Sequence, residues 1–351
     1  MSKKKRIIFL ILSIVVLTIF VVIPFGLAAM IYEDNFGSRY TSYEPMARNI
    51  DEFKDLQAQR VTFPSDQGQA LVGYQYYKNK TDAKGIVVIA HGLGGGGHNS
   101  YMDVADYFAS QNYIVFAYDA TGNDESEGSS VRGMPQGLID LDYAIRFIKQ
   151  TAAFEGLPVL LFGHSWGGYS AGSVLNLHPD VKAAVIVAGF NNSVDIIAEE
   201  GERIAGDSIH VLMPYIAVYE RIKFGKYATY NCLDGFQNTD AGVMIIYSTD
   251  DEMISQEKSF DLFYDAYQTD ARFQFVKYED RGHNYVYYSD QSRSYQAAFN
   301  ISFDAYVNSL PQLTPELKAN YFKDHLDKSM LFDLDHALME RIVKFYDELT
   351  N

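Results

Sequence analysis

The stretch VLLFGHSWGGYSAG, residues 159–172, decides how the rest of the chain is read. It opens as an apolar run of strand type, meets Ser165 between Gly163 and Gly167, and continues in small residues that suit a tightly packed helix. Strand, sharp turn and helix in that order lift a serine hydroxyl clear of the end of a sheet. Glycines are needed on either side because such a turn leaves no room for side chains. A lone G-x-S-x-G is weak, since Gly and Ser are common, but this context points to Ser165 as a nucleophile.

Working outward, residues 85–92, 112–120, 158–165, 182–190, 242–249 and 272–280 are short apolar runs separated by helical patterns such as residues 137–153 and 255–268. Near-continuous apolar strands are buried on both faces, as in a parallel sheet sandwiched by helices. The alternation predicts an α/β fold with a mostly parallel, doubly wound sheet and helices on both faces. The pattern around Asp66, Gln67 and Gly68 predicts a β-hairpin at the start of the main domain, expected over residues 60–351. Residues 191–238 are too long for an ordinary connection and are expected to form a helical cap over the site. Residues 286–330 form a tyrosine-rich, helix-compatible insertion before a closing helix at 334–349.

In such sheets the reactive groups gather at the carboxyl ends of the strands. A serine attacks only if a base takes its proton and donors hold the oxyanion. The donors expected are the N–H of Trp166, at the start of the helix, and that of Leu93, in the glycine-rich loop VVIAHGLGGGGHNS. The base is expected at His283, in a glycine-marked loop after the last strand, YEDRGHNYVYY. The orienting acid is sought after the strand ending in STDDEMI; the spacing favours Asp251, leaving Asp250 and Glu252 to solvent. His91, Gly92 and His164, which flank the loop and the nucleophile, are expected to bind substrate.

From about residue 60 to 350 the chain resembles the α/β-hydrolase superfamily, in its serine aminopeptidase-like and monoacylglycerol lipase (lysophospholipase)-like branch. The resemblance rests on HG at 91–92, DATGNDESEG at 119–128, GHSWGG at 163–168, STDDEMI at 248–254 and GHN at 282–284. It implies an α/β-hydrolase fold with Ser165 as nucleophile, Asp251 as orienting acid and His283 as base. Two positions depart from the branch pattern. Ser248 replaces a glycine, and Asn123 and Asp124 fill the second glycine position of the 119–128 loop.

The chain begins MSKKKR, and residues 7–32 carry no charge. At 1.5 Å per helical residue this stretch exceeds the roughly 30 Å of a hydrocarbon core. Positive charge in front keeps the N-terminus cytoplasmic, so residues 1–32 are expected to be a single-pass anchor, 33–59 a stalk, and the catalytic domain extracytoplasmic. The alternative is a cleaved signal peptide ending near Gly26-Leu27-Ala28, which would release a secreted protein. The net charge of −16, without basic patches, argues against nucleic acid as a partner. One cysteine, Cys232, allows no internal disulfide and has no metal-ligand neighbours in sequence. No metal or other cofactor is expected. The leading expectation is a carboxylic ester hydrolase acting on a lipid or small acyl ester. Alternatives are a peptidase, with the Glu199–Glu202 cluster binding a substrate amine, and a catalytically inactive surface-binding protein.

Overall fold

The protein is described here by a computed structural model over residues 2–94 and 96–350. Gly95, within the glycine-rich loop, lies outside the described residues, as do Met1 and Asn351.

A single 8-stranded sheet runs in the order β1-β2-β4-β3-β5-β6-β7-β8. Its strands are β1 Gln57–Pro64, β2 Ala70–Tyr77, β3 Ile86–Ala90, β4 Ile114–Tyr118, β5 Val159–His164, β6 Ala183–Val187, β7 Gly242–Ser248 and β8 Phe273–Tyr278. The first two form the expected hairpin, which begins at Gln57, ahead of Arg60. β2 pairs antiparallel with β4, and every later pairing is parallel. Strands β3 to β7 bury every residue. Their Val- and Ile-rich composition suits a pleat covered on both faces, where branched side chains pack without loss of rotamers they do not have.

The N-terminal helix is continuous from Lys3 to Phe36: α1 Lys3–Leu17, a π turn Thr18–Val22, and α2 Ile23–Phe36. After it come α3 Met102–Ser110, α4 Met134–Gln150, α5 Trp166–Ser173, α6 Ser193–Ala205, α7 Met213–Phe224, α8 Cys232–Gln237, α9 Phe260–Tyr267, α10 Asp290–Asn308, α11 Pro315–His325, α12 Lys328–Leu331 and α13 His336–Thr350. Period-2 alternation sorts the layers. Ile86, Val88 and Ala90 of β3 pack with α4, α5, α8 and α9, while Val87 and Ile89 pack with α3 and α13.

Three boundaries differ from the sequence expectation. Of residues 191–238, only α6, α7 and the turn between them form a cap; α8 belongs to the core layer, with Cys232 and Phe236 fully buried. Residues 33–59 are not a free stalk. Tyr40 bridges to Asn123, Arg48 makes a two-pronged pair with Asp103 (3.0 and 2.9 Å), and Leu56 is buried in the core. Finally, α2 carries helix past residue 32, because its last turns pack on the body through Tyr32 and Phe36.

Candidate active site

Ser165 sits between β5 and α5 at φ 56°, ψ −116°, a left-handed conformation rare for a residue with a side chain. Its own N–H donates to the carbonyl of Val187 (2.8 Å), which pins the turn to β6. The glycines are sterically required: a Cβ at Gly163 would lie 2.2 Å from Gly167 O, and one at Gly167 would lie 1.9 Å from Ala90 O. Close approach of α5 to β3 and β5 therefore sets the height of the serine.

His283 comes from the loop after β8 and Asp251 from the loop after β7. His283 Nε2 lies 2.8 Å from Ser165 Oγ, and Nδ1 lies 2.8 Å from Asp251 Oδ2. A carboxylate only accepts, so Nδ1 carries the proton and Nε2 is free to take one from the serine. The other oxygen of Asp251 accepts from the N–H groups of Met253 (2.8 Å) and Ile254 (2.9 Å). Its side chain is fully buried. The arrangement can therefore generate an alkoxide equivalent at Ser165 and hold the imidazolium that forms.

Two supports around this chain were not foreseen. Asp250 is not merely solvated: its Oδ1 accepts from Ser248 Oγ (2.5 Å), Arg281 N (3.1 Å) and Gly282 N (2.8 Å), tying the His283 loop to the Asp251 loop. Partial burial opposes ionisation of this carboxyl, but these hydrogen bonds outweigh it and hold the pKa below the usual range. Ser248, where the branch pattern has glycine, is one of the donors. The second support is a relay. Gly92 N–H donates to Tyr101 Oη (2.9 Å), Tyr101 O–H donates to His164 Nδ1 (2.9 Å), and His164 Nε2–H donates to the carbonyl of His283 (3.0 Å). The relay needs a neutral His164, and burial, aided by the nearby His283, pushes its pKa down to about 3. Tyr101 was missed because nothing local marks it; its partners are Gly92, after β3, and His164, at the end of β5.

The residues expected to bind substrate separate accordingly. Gly92 and His164 line the cavity beside Ser165, with His164 fully engaged in the relay. His91 does not line it among the described residues. It is a buried brace, donating from Nδ1 to Gly92 O (2.7 Å) and accepting at Nε2 from Ala120 N (3.0 Å), with its pKa lowered by burial. Leu93 and Trp166, the expected oxyanion donors, both line the cavity. Trp166 opens α5, where an N–H has no partner within the helix. The indole of Trp166 donates to Met134 O (2.7 Å). The glycine-rich loop that carries Leu93 is held at Gly97 by Asp124, which accepts from Gly97 N (2.7 Å) and Ser42 N (2.6 Å). That explains an acid where the branch pattern has glycine.

The cavity has a volume of about 930 Å³ and runs from Ser165 to the cap, where Ile196, Ile197, Ile209 and Ile216 line it. Of the acidic cluster, Glu199 is spent on Ser255 (2.8 and 2.9 Å) and Arg203 (2.7 Å), and Glu202 pairs with His210. Only Glu200 reaches the cavity. His98, Asp119 and Glu125 lie within 4.8 Å of one another, as metal ligands could. Asp119 is taken up by the ring and backbone N–H of His98, and Glu125 by Arg60 and Tyr74, so the group reads as a hydrogen-bonded brace.

A family model described as serine aminopeptidase, S33, matches residues 81–274, more than half of the chain. The chain belongs to this family. The S33 chain is similar to human monoglyceride lipase, 30% identical over 95 residues, covering 27% of this chain and 31% of that protein. It is also similar to a monoacylglycerol lipase of Mycolicibacterium smegmatis, 27% identical over 127 residues, 35% of this chain and 43% of the other. Each match thus spans less than half the length of the relative. The α/β-hydrolase fold is shared with a Pyrococcus furiosus esterase, with a TM-score of 0.52 and 12% identity over 77% of this chain and 98% of that one. The S33 match takes in Ser165 and Asp251, while His283 lies beyond it.

Proposed function

We propose that the protein is a membrane-anchored serine ester hydrolase that cleaves an uncharged acyl ester, of monoacylglycerol type, through an acyl-enzyme. The observation that carries the reading is the continuous chain Asp251–His283–Ser165, with 2.8 Å at each link, each residue at the carboxyl end of its own strand. The apolar cap and the names of the lipase relatives support a lipid acyl group.

In the proposed mechanism His283 Nε2 takes the proton of Ser165 as Oγ attacks the acyl carbon. The Leu93 and Trp166 N–H groups hold the oxyanion, and Asp251 holds the imidazolium. Collapse expels the alcohol, which takes the proton from His283. Water then attacks the acyl-enzyme with His283 as base again, releasing the acid and restoring Ser165.

The free run of the N-terminal helix supports anchoring. Residues 2–23 are exposed along their whole length, and at 1.5 Å per residue they reach about 30 Å, the thickness of a hydrocarbon core. The basic start puts that end in the cytoplasm and the catalytic domain outside the cell membrane.

The test is Ser165→Ala assayed on monoacylglycerols and p-nitrophenyl esters, with fluorophosphonate labelling of the parent. We expect the label on Ser165 and a loss of at least about 10,000-fold in kcat. Retained ester turnover would refute the assignment, and hydrolysis of aminoacyl amides in preference to esters would move the activity to peptides.

A further inference from the structure

The last turns of the N-terminal helix bury one face and present another to the cavity. Ala28, Tyr32 and Phe36, spaced by four, are 0%, 2% and 7% exposed and pack against Val131 and Ile139 of the body and Ile209, Met213 and Ile216 of the cap. Within this cluster Tyr32 Oη donates to Glu220 Oε1 (2.6 Å), a fully buried carboxyl on α7. The fit excludes even a methyl group: a Cβ at Gly133 would lie 2.0 Å from Tyr32 Oη. Higher up, Pro24 has no N–H for the carbonyl of Phe20, which accepts instead from Tyr215 of the cap. Lys223 and Tyr219 of α7 both reach Glu33. The helix is thus docked to the cap along two successive turns and more.

On the adjacent face, Ile31, Asp34 and Asn35 line the same cavity as Ser165, and the packed Tyr32 and Phe36 reach it as well. We propose that the outer end of the membrane helix is a wall of the acyl-binding site, so that Ile31 and its neighbours select the acyl chain. The proposal rests on the reading of Ser165 as nucleophile. An anchor acting only as a tether has no reason to bury a tyrosine hydrogen-bonded to a cap carboxyl, nor to close a cavity leading to the serine. The ligand class is a single extended acyl chain lying between α2 and the cap isoleucines, its ester carbon at Ser165.

The experiment uses the full chain in a mild non-ionic detergent. Ile31→Trp, which fills the cavity face and leaves the buried face intact, is compared with the parent on p-nitrophenyl acetate and p-nitrophenyl decanoate. We expect kcat/KM on the decanoate to fall about tenfold or more relative to the acetate, the scale at which a pocket discriminates by shape. An unchanged ratio overturns the proposal. Independently, a decyl fluorophosphonate with a terminal diazirine is attached to Ser165 and irradiated. Adducts on residues 27–36 support the wall, and adducts confined to the cap overturn it. If Ser165 fails to react even with a short fluorophosphonate, the nucleophile assignment falls and the proposal falls with it. Reaction with the short probe but no helix adduct removes the wall alone.

Discussion

Asp250 and Asp251 are adjacent, chemically identical and differently employed. Asp251 points inward and takes the base, whereas Asp250 gathers Ser248, Arg281 and Gly282 at the rim. Removing Asp250 leaves Ser165 and His283 untouched but frees the loop that carries His283. Asp250→Ala should therefore lower kcat about tenfold with little change in KM, and Asp250→Asn, which keeps an accepting oxygen, should recover most of the loss. Equal KM increases in both variants would mark a substrate contact instead. His164 makes a second prediction, in pH. Its folded pKa of about 3 lies below the unfolded value near 6.5, so the unfolded chain takes up a proton that the folded chain refuses. Its contribution to stability is complete above pH 6.5 and declines by about 1.4 kcal/mol per unit as the pH falls toward 3. Thermal midpoints measured from pH 7 to pH 4 should fall more steeply for the parent than for His164→Gln, whose amide can both donate and accept. Parallel curves would show that His164 is not the group responsible.

At the scale of elements, what could be read from sequence followed the range of the forces involved. β3 to β7 were legible because burial on both faces writes itself into consecutive residues, and the turn at Ser165 because Gly163 answers a clash with nearby Gly167, although Gly167 itself makes room for Ala90 of distant β3. Residues 33–59 were not legible as packed structure, since their few anchors find partners far along the chain: Arg48 pairs with Asp103, and Lys328 reaches back to Ala47. α8 was mistaken for cap because an apolar helix over a sheet and one over a cavity share the same pattern. The Arg48 pair yields a test. Burial raises the Asp103 pKa to about 6 even against the pull of Arg48. Losing the arginine would leave a carboxyl in a poor environment, so Arg48→Ala should cost about 3 kcal/mol of unfolding free energy. Arg48→Ala combined with Asp103→Ala should be less damaging than the single change. Strict additivity of the two would show that the ion pair contributes nothing through coupling.

Over the whole molecule, charge and shape bear on the substrate together. The net charge is −16, and the cavity lining carries Asp34 and Glu200 but no lysine or arginine among the described residues. A substrate ending in a phosphate would therefore approach an acidic body through an acidic mouth. A single like-charge contact at about 4 Å costs between roughly 1 kcal/mol in water and 4 kcal/mol near a protein surface. Arg203 pairs with Glu200 at 2.7 Å, so the local repulsion falls to Asp34 and to the net charge of the body, and discrimination of about tenfold or more follows. The same acyl chain should be hydrolysed at least about tenfold faster from a monoacylglycerol than from a lysophosphatidate in neutral detergent at low salt. Raising the ionic strength toward 0.5 M shortens the Debye length well below its roughly 8 Å at physiological salt, so the gap should narrow while the monoacylglycerol rate stays constant. Asp34→Asn, placed on the outer helix, should narrow it at low salt as well. Equal rates for the two lipids at low salt would mean that the head group stays outside the reach of these carboxylates and that the acyl chain alone governs recognition.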